Sequence, residues 1–255
     1  MLDGSSFLHL GTLPPSAGLV SREILFRADQ YNPKAHLKSP TPAERARALC
    51  EVLPRIYPGA HCELNFSSPL ELLIATILSA QCTDVQVNKV TASLFQKYRT
   101  ARDYAEADPA QLEHDLRAIG LYRNKAKNVI ALSRILLDKY GGEVPLTRAG
   151  LIELPGVGNK TASVVLNELN IEPAIAVDTH VFRVSHRLGL VDAKANTPEK
   201  VERELMRVIP KPWLTRAHHW LILHGRYVCV ARKPKCGVCP LADLCPSHED
   251  FAGAG

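Results

Sequence analysis

Four cysteines near the C-terminus, Cys229, Cys236, Cys239 and Cys245, stand in the spacing C-x6-C-x2-C-x5-C. The close C-x2-C pair can grip one ion or two corners of a cluster. The outer cysteines lie within loop reach, so four thiolates can converge without rearranging a helix. Four sulfur ligands suit either zinc or an iron–sulfur cluster, both soft-ligand centres. Zinc ribbons usually carry two C-x2-C knuckles; this segment has one, which favours a cluster. The loop between the first two ligands carries Arg232, Lys233 and Lys235. A short loop pinned at both ends loses little entropy on docking, so these three side chains read as phosphate contacts.

A second group with chemical potential is Leu154–Pro155–Gly156–Val157–Gly158–Asn159–Lys160–Thr161–Ala162. Two glycines permit positive φ and a close backbone approach to a ligand. The helix that follows presents unpaired N–H groups at its start, a phosphate site that reads no bases. This pattern matches a helix-hairpin-helix with Gly156, Val157 and Gly158 at its tip; the plainer alternative is a helix–helix turn. Lys160 falls in the first helical turn, where the helix dipole opposes a cation. That placement fits an amine that can act as a nucleophile, or else a lysine that simply reaches phosphate. In Ala176–Val177–Asp178–Thr179–His180 an apolar, strand-like approach meets the start of another helix. Asp178 there reads as an N-cap, and a capping carboxylate is also a fixed, partly buried one.

The elements that must hold these groups are helices. Thr41–Pro42–Ala43–Glu44 and Ser68–Pro69–Leu70–Glu71 have the cap-then-proline form of helix starts. Further helical stretches are read at Val85–Lys97, Pro109–Ala118, Lys125–Tyr140, Lys160–Leu169, Thr179–Leu188, Pro198–Val208 and Pro212–Tyr227. Few segments alternate with period two, so the fold class is all-α. Residues 1–40 are poor in helical periodicity and read as an N-terminal extension. No run of about 18 apolar residues is present, which argues against a membrane span, and no secretory leader is read; a cytoplasmic, nucleoid-associated protein is expected. From Leu205 to Ala242 there are seven Lys or Arg and no Asp or Glu, a stretch that attracts a polyanion or forms a solvated basic face. Cys50, Cys62 and Cys82 show no ligand spacing and read as small hydrophobes, and an odd total of seven cysteines speaks against a disulfide framework.

Taken together, the hairpin, the lysine, the aspartate and the four cysteines resemble the endonuclease III family, the iron–sulfur branch of the helix-hairpin-helix DNA glycosylases. The resemblance runs from about Ala43 to Pro246. It includes Glu63–Leu64–Asn65–Phe66–Ser67–Ser68–Pro69, Leu78–Ser79–Ala80–Gln81, Leu154–Pro155–Gly156–Val157–Gly158, Val177–Asp178–Thr179–His180 and His218–His219–Trp220–Leu221–Ile222–Leu223–His224–Gly225–Arg226. It implies one [4Fe–4S] cluster and two helical lobes with a DNA-binding cleft between them. One lobe is a six-helix barrel domain over 62–172; the other, the cluster domain, is built from 41–61 and 173–255. It further implies a monomer that acts on double-stranded DNA containing oxidised pyrimidines or abasic sites. Such an enzyme extrudes the damaged nucleotide, with Gln81 filling the vacated space, Leu121 wedging into the opposite strand and His180 among the DNA contacts. Lys160 would attack the deoxyribose and cleave by β-elimination through a Schiff base, with Asp178 assisting. Lysine at this position separates the chain from the related mismatch adenine glycosylases. Asn159 is a departure, standing where many bacterial relatives have arginine.

Overall fold

The computed structural model describes residues 40–252. The N-terminal extension read over 1–40 therefore lies outside the described residues, apart from Pro40. Among the described residues there are α-helices and short 3-10 turns and no strand, as an all-α reading requires.

The first helix, α1 (Pro42–Ile56), opens on a full capping box: Thr41 accepts from the Glu44 N–H, and the Glu44 carboxylate accepts from Thr41. Ser68 caps α2 (Pro69–Leu78) by accepting from the Glu71 N–H, while the Glu71 carboxylate accepts from Ser67 instead, and proline takes the first helical position in both helices. Next come α3 (Asp84–Lys97), α4 (Ala101–Ala105), α5 (Pro109–Leu116) and α6 (Tyr122–Tyr140). The second half of the chain forms α7 (Arg148–Ile152), α8 (Asn159–Glu168), α9 (Thr179–Arg187), α10 (Pro198–Val208), α11 (Leu214–Tyr227) and α12 (His248–Ala252). The short helices α4 and α7 fall outside the stretches read from periodicity. α6 also begins three residues earlier than Lys125, because Leu121 enters it in a left-handed conformation without a side-chain cap. The strand-like approach to Asp178 is a buried segment that joins no strand among the described residues: Ala174, Ile175, Ala176 and Val177 are all buried, and the Ala174 N–H donates to Asn167 Oδ1 at 3.0 Å.

α2 is apolar all round, as a helix buried on every side must be. Its Ile74, Ala75 and Leu78 enter a core shared with Val87, Leu112, Leu116 and Val129. Its Leu72, Leu73 and Ile77 enter another, shared with Leu132, Leu136, Leu151 and Val165. A third core gathers Leu49, Leu53 and Ile56 of α1 with Val181, Val184, Leu205 and Trp220 from the C-terminal half. Trp220 is fully buried there, and truncating such a side chain typically costs about 3–5 kcal/mol. α1 thus packs with residues far along the chain rather than with the helices that follow it.

Polar contacts cross between these cores. Arg226 at the end of α11 pairs with Glu63 and, at 2.9 Å, with Asp84 at the start of α3. His219 Nε2 of α11 stands 2.9 Å from Glu168 Oε1 at the end of α8. These contacts fix α11 against both α3 and α8, the elements that lead to the sequence-predicted site.

Candidate active site and metal centre

Cys229 follows α11 by two residues, and the other three cysteines sit at the edges of two 3-10 turns, Cys236–Val238 and Ala242–Leu244. Backbone hydrogen bonds set these turns: Cys239 N–H to Cys236 O at 3.1 Å, Cys245 N–H to Ala242 O at 3.2 Å and Lys235 N–H to Val228 O at 3.0 Å. All four cysteines line one pocket of about 360 Å³, its open mouth included, with Leu188, Val228 and Phe251 among the apolar walls. Among the described residues no three His, Cys, Asp or Glu donors close tightly enough to hold a single ion. The four thiols line one space, which suits a structural metal centre that takes all its ligands from cysteine. Burial pushes the Cys239 thiol up to about 12, so binding metal there must release a proton. Nitrogen groups face two of the sulfurs: Arg187 Nη1 is 3.5 Å from Cys229 Sγ, and His224 Nε2 is 3.7 Å from Cys239 Sγ.

Arg187 also donates to the carbonyls of Val230 and Ala231, at 2.8 and 3.0 Å. One guanidinium at the end of α9 thereby holds the loop that carries Arg232, Lys233 and Lys235, all three exposed. Lys233 has φ 51°, a left-handed conformation. Arg183, one turn earlier in α9, donates to Cys229 O at 3.0 Å and Gly225 O at 2.8 Å.

At the hairpin, Leu154 and Val157 are buried and anchor the turn, while Gly156 and Gly158 are exposed. Only Gly156 uses the left-handed region, at φ +83°, and a Cβ there would meet the Asn128 amide nitrogen at 2.9 Å. Gly158 has an ordinary φ of −102° and caps α8 with no side chain of its own. A Cβ on Gly158 would meet nothing within 4 Å, so the first N–H groups of α8 face open space that a phosphate oxygen can enter.

Lys160 is exposed in the first turn of α8. His218 of α11 is buried, and its Nδ1 has no hydrogen-bond partner among the described residues. Burial pushes the His218 imidazole down to about 3, and His219 and the Lys160 ammonium both push the same way. The His218 ring is therefore neutral. Asp178 caps α9, its Oδ1 accepting from the His180 and Val181 N–H groups at 2.8 Å each, which leaves Oδ2 outside the cap. Arg226 lies within electrostatic range of Asp178: although burial opposes its charge, Asp84, Glu63 and Asp178 hold it protonated. Lys160 and Asp178 thus both act electrostatically on α11, Lys160 on His218 and Asp178 on Arg226. α11 reaches α9 closely because residue 225 is glycine; a Cβ there would strike His180 Cβ at 2.8 Å. His180 itself is half-buried, with Nδ1 3.3 Å from Arg183 Nη2.

Gln81 and Leu121 are both exposed and both left-handed, at φ 55° and 59°. Leu121 leaves 55% of its surface open, an unusual state for a leucine in a strained conformation. Their loops touch, since a Cβ on Gly120 would lie 3.4 Å from Gln81 O. Of the four non-glycine residues with positive φ among those described, three are Gln81, Leu121 and Lys233; the fourth is Asn170. Gln81 and Leu121 are thus exposed residues on adjoining turns, and Lys233 is an exposed residue on the cysteine loop, whereas Val157 is buried and His180 half-buried.

Sequence reasoning did not single out His218, Glu168, Arg226, Arg183 or Arg187 as parts of a site. The adjacent pair His218–His219 on a helix was a visible signal. The arginines were not distinguishable from a solvated basic face, because their partners lie far along the chain: backbone carbonyls for Arg183 and Arg187, and the Glu63 and Asp84 carboxylates for Arg226.

A helical fold with a glycine hairpin, an exposed lysine at its mouth and a four-cysteine pocket is the arrangement that the resemblance to iron–sulfur DNA glycosylases implies, and the comparisons with known proteins agree. Residues 74–211 match the model for the HhH-GPD superfamily of base excision DNA repair proteins, and residues 229–245, from the first cysteine to the fourth, match the iron–sulfur binding domain of endonuclease III. Endonuclease III of Bacillus subtilis (strain 168) is 53% identical over 190 residues, covering 74% of this chain and 86% of its own length. That of Rickettsia conorii is 50% identical over 203 residues, 80% of this chain and 96% of its own. The solved structure of a trapped endonuclease III–DNA covalent intermediate is 50% identical, with a TM-score of 0.77 over 82% of this chain and 97% of that one. The chain belongs to the endonuclease III family. It is a DNA glycosylase and AP lyase whose cofactor is a [4Fe–4S] cluster.

Proposed function

We propose that this enzyme removes oxidised pyrimidines from duplex DNA and cleaves the resulting abasic site through a Schiff base on Lys160. The Lys160 Nζ lone pair attacks C1′ of the extruded deoxyribose. The glycosidic bond breaks, its electrons leave with the base, and the amine gives up a proton. Opening of the sugar ring yields a C1′ iminium, which acidifies the C2′ proton. Loss of that proton expels the 3′-phosphate by β-elimination, and water then releases Lys160. Asp178, fixed by two backbone N–H groups through one oxygen, offers the other to the attacking amine and to the developing positive charge on the sugar. The observation that carries this reading is the position of Lys160, exposed in the first turn of α8, directly after the open Gly158 amides that suit a phosphate.

Cys229, Cys236, Cys239 and Cys245 are the ligands we assign to the cluster, which serves as a structural brace with no open coordination position for substrate. The chain's own Arg187 and Arg183 transmit that brace to α9 and hence to Asp178. Arg232, Lys233 and Lys235, with the hairpin Gly156–Val157–Gly158, take phosphates; Gln81 and Leu121 enter the duplex, and His180 lies beside the extruded nucleotide. The separate core around Trp220, shared by α1 and residues 175–244, supports a division into a barrel lobe (62–172) and a cluster lobe (41–61 with 173–255). A monomer working in the cytoplasm on nucleoid DNA fits this reading, as does the lack, among the described residues, of any helix long and apolar enough to cross a membrane. The test is incubation with a thymine-glycol duplex plus borohydride. A covalent adduct is expected with the native chain and none with Lys160→Ala; an adduct of equal yield in the variant refutes the assignment.

A further inference from the structure

Lys125 is the one lysine among the described residues that is buried, at 4% exposure. It is the fourth residue of α6, and its ammonium donates to Leu78 O at 2.8 Å and Ala80 O at 2.6 Å. No carboxylate among the described residues pairs with it. Burial pushes its amine below the ordinary lysine range, so the fold keeps a cation where an apolar side chain of similar length would avoid the desolvation cost. The compensation is local: Leu78 is the last residue of α2, and carbonyls at a helix C-terminus carry partial negative charge.

What this cation joins is informative. The carbonyl of Ala80 immediately precedes Gln81, and the backbone N–H of Lys125 donates to Leu121 O at 3.1 Å. Gln81 and Leu121 are the two exposed, left-handed residues at φ 55° and 59°. Left-handed conformations cost energy in non-glycine residues and persist only where surrounding structure enforces them. The side chain of Lys125 grips one of these turns and its main chain grips the other, and the turns also touch at Gly120 and Gln81 O.

We propose that Lys125 is a positioning residue that locks the Gln81 turn to the Leu121 turn, so that both side chains enter the duplex as one preorganised unit. The proposal rests on the reading of Gln81 and Leu121 as inserting residues. Without the side-chain tie the Gln81 turn relaxes and is no longer held to the Leu121 turn, and part of the energy of DNA binding must go into restoring that arrangement. The substrate that feels this most is an intact lesion pair, which must be opened; an abasic site in single-stranded DNA needs no opening.

The test is a mutant cycle on the cluster-loaded protein: Lys125→Met, the pair Gln81→Ala with Leu121→Ala, and all three together. Single-turnover base release from a thymine-glycol duplex is the main readout, with borohydride trapping at a single-stranded abasic site beside it. Lys125→Met is expected to slow duplex base release by about tenfold or more, the effect that follows from removing a charge-assisted tie. Trapping on single-stranded DNA, cluster absorbance and melting temperature should stay near native. In the Gln81→Ala, Leu121→Ala background the Lys125 effect should vanish. If Lys125→Met slows release equally in both backgrounds, or not at all in the native one, the proposal is overturned. If the Gln81→Ala, Leu121→Ala protein releases base at the native rate, the insertion reading falls first and the proposal with it. Should Lys125→Met lose its cluster or melt early, Lys125→Gln, a neutral donor of shorter reach, is read by the same cycle and the same criteria.

Discussion

His218 gives the site a measurable acid weakness. Its imidazole is completely buried, and burial first, then His219 and Lys160, lower it from an ordinary value of 6.5 to about 3. Glu168 faces His219 and not His218, so no carboxylate compensates. In the unfolded chain His218 takes up a proton as pH falls through 6.5, while in the folded chain it stays neutral until near pH 3. The unfolded state therefore binds more protons across that window, and stability falls as pH drops from about 6.5 towards 3. A single such group removes about 1.4 kcal/mol per pH unit, or about 2 kcal/mol between pH 7 and pH 5. For a protein of this size that corresponds to roughly 4–8 °C in melting temperature. The perturbation is His218→Phe, which keeps a ring of similar breadth and removes the titration. Melting curves of the native protein and the variant, taken from pH 7 to pH 5, share every other titrating group, so their difference isolates His218. The gap between the two should close by about 2 kcal/mol in the variant's favour as pH falls. Parallel pH profiles would refute the assignment of a neutral, buried His218 imidazole.

Other consequences follow from the hairpin and the basic loop. Gly156→Ala should cost about 2 kcal/mol or more in a melting experiment, from the left-handed φ and the overlap with Asn128; adding Asn128→Ala should recover the overlap but not the dihedral cost. Replacing Arg232, Lys233 and Lys235 together by alanine should flatten the salt dependence of DNA binding by about 0.9 in log–log slope for each phosphate that the loop no longer neutralises, with base release at saturating enzyme close to native. A slope unchanged by the triple substitution would mean that the loop does not meet DNA.

Much of this site is legible in one dimension because its parts are local. The cysteine spacing and the run Pro155–Lys160 each place their residues within a single turn or loop, where chain geometry alone decides what can meet. Helix starts at Thr41 and Ser68 are legible for the same reason: capping is a contact over three residues. The caps of α4 and α7 at Thr100 and Thr147 escape such a reading, since each opens a helix of only five residues with no periodicity to confirm it. Both hairpin glycines permit positive φ, but only Gly156 uses it; Gly158 sits in ordinary space and serves by lacking a side chain. The neutral His218, the Arg187 clamp and the buried Lys125 are not legible. Each depends on partners 40 or more residues away, and a lysine or arginine that meets only backbone carbonyls leaves no complementary charge in the sequence. Leu121 shows the limit most clearly: its chemistry is that of an ordinary core leucine, and only its exposure and left-handed backbone set it apart.

The central claim is that the Lys160 amine is the nucleophile. Its most direct measurement is proteolytic digestion and mass mapping of the borohydride-trapped adduct formed with a thymine-glycol duplex. The reduced sugar should be found on the peptide containing Lys160 and at that residue. A trapped sugar on another lysine, or a native-yield adduct that survives Lys160→Ala, would contradict the account.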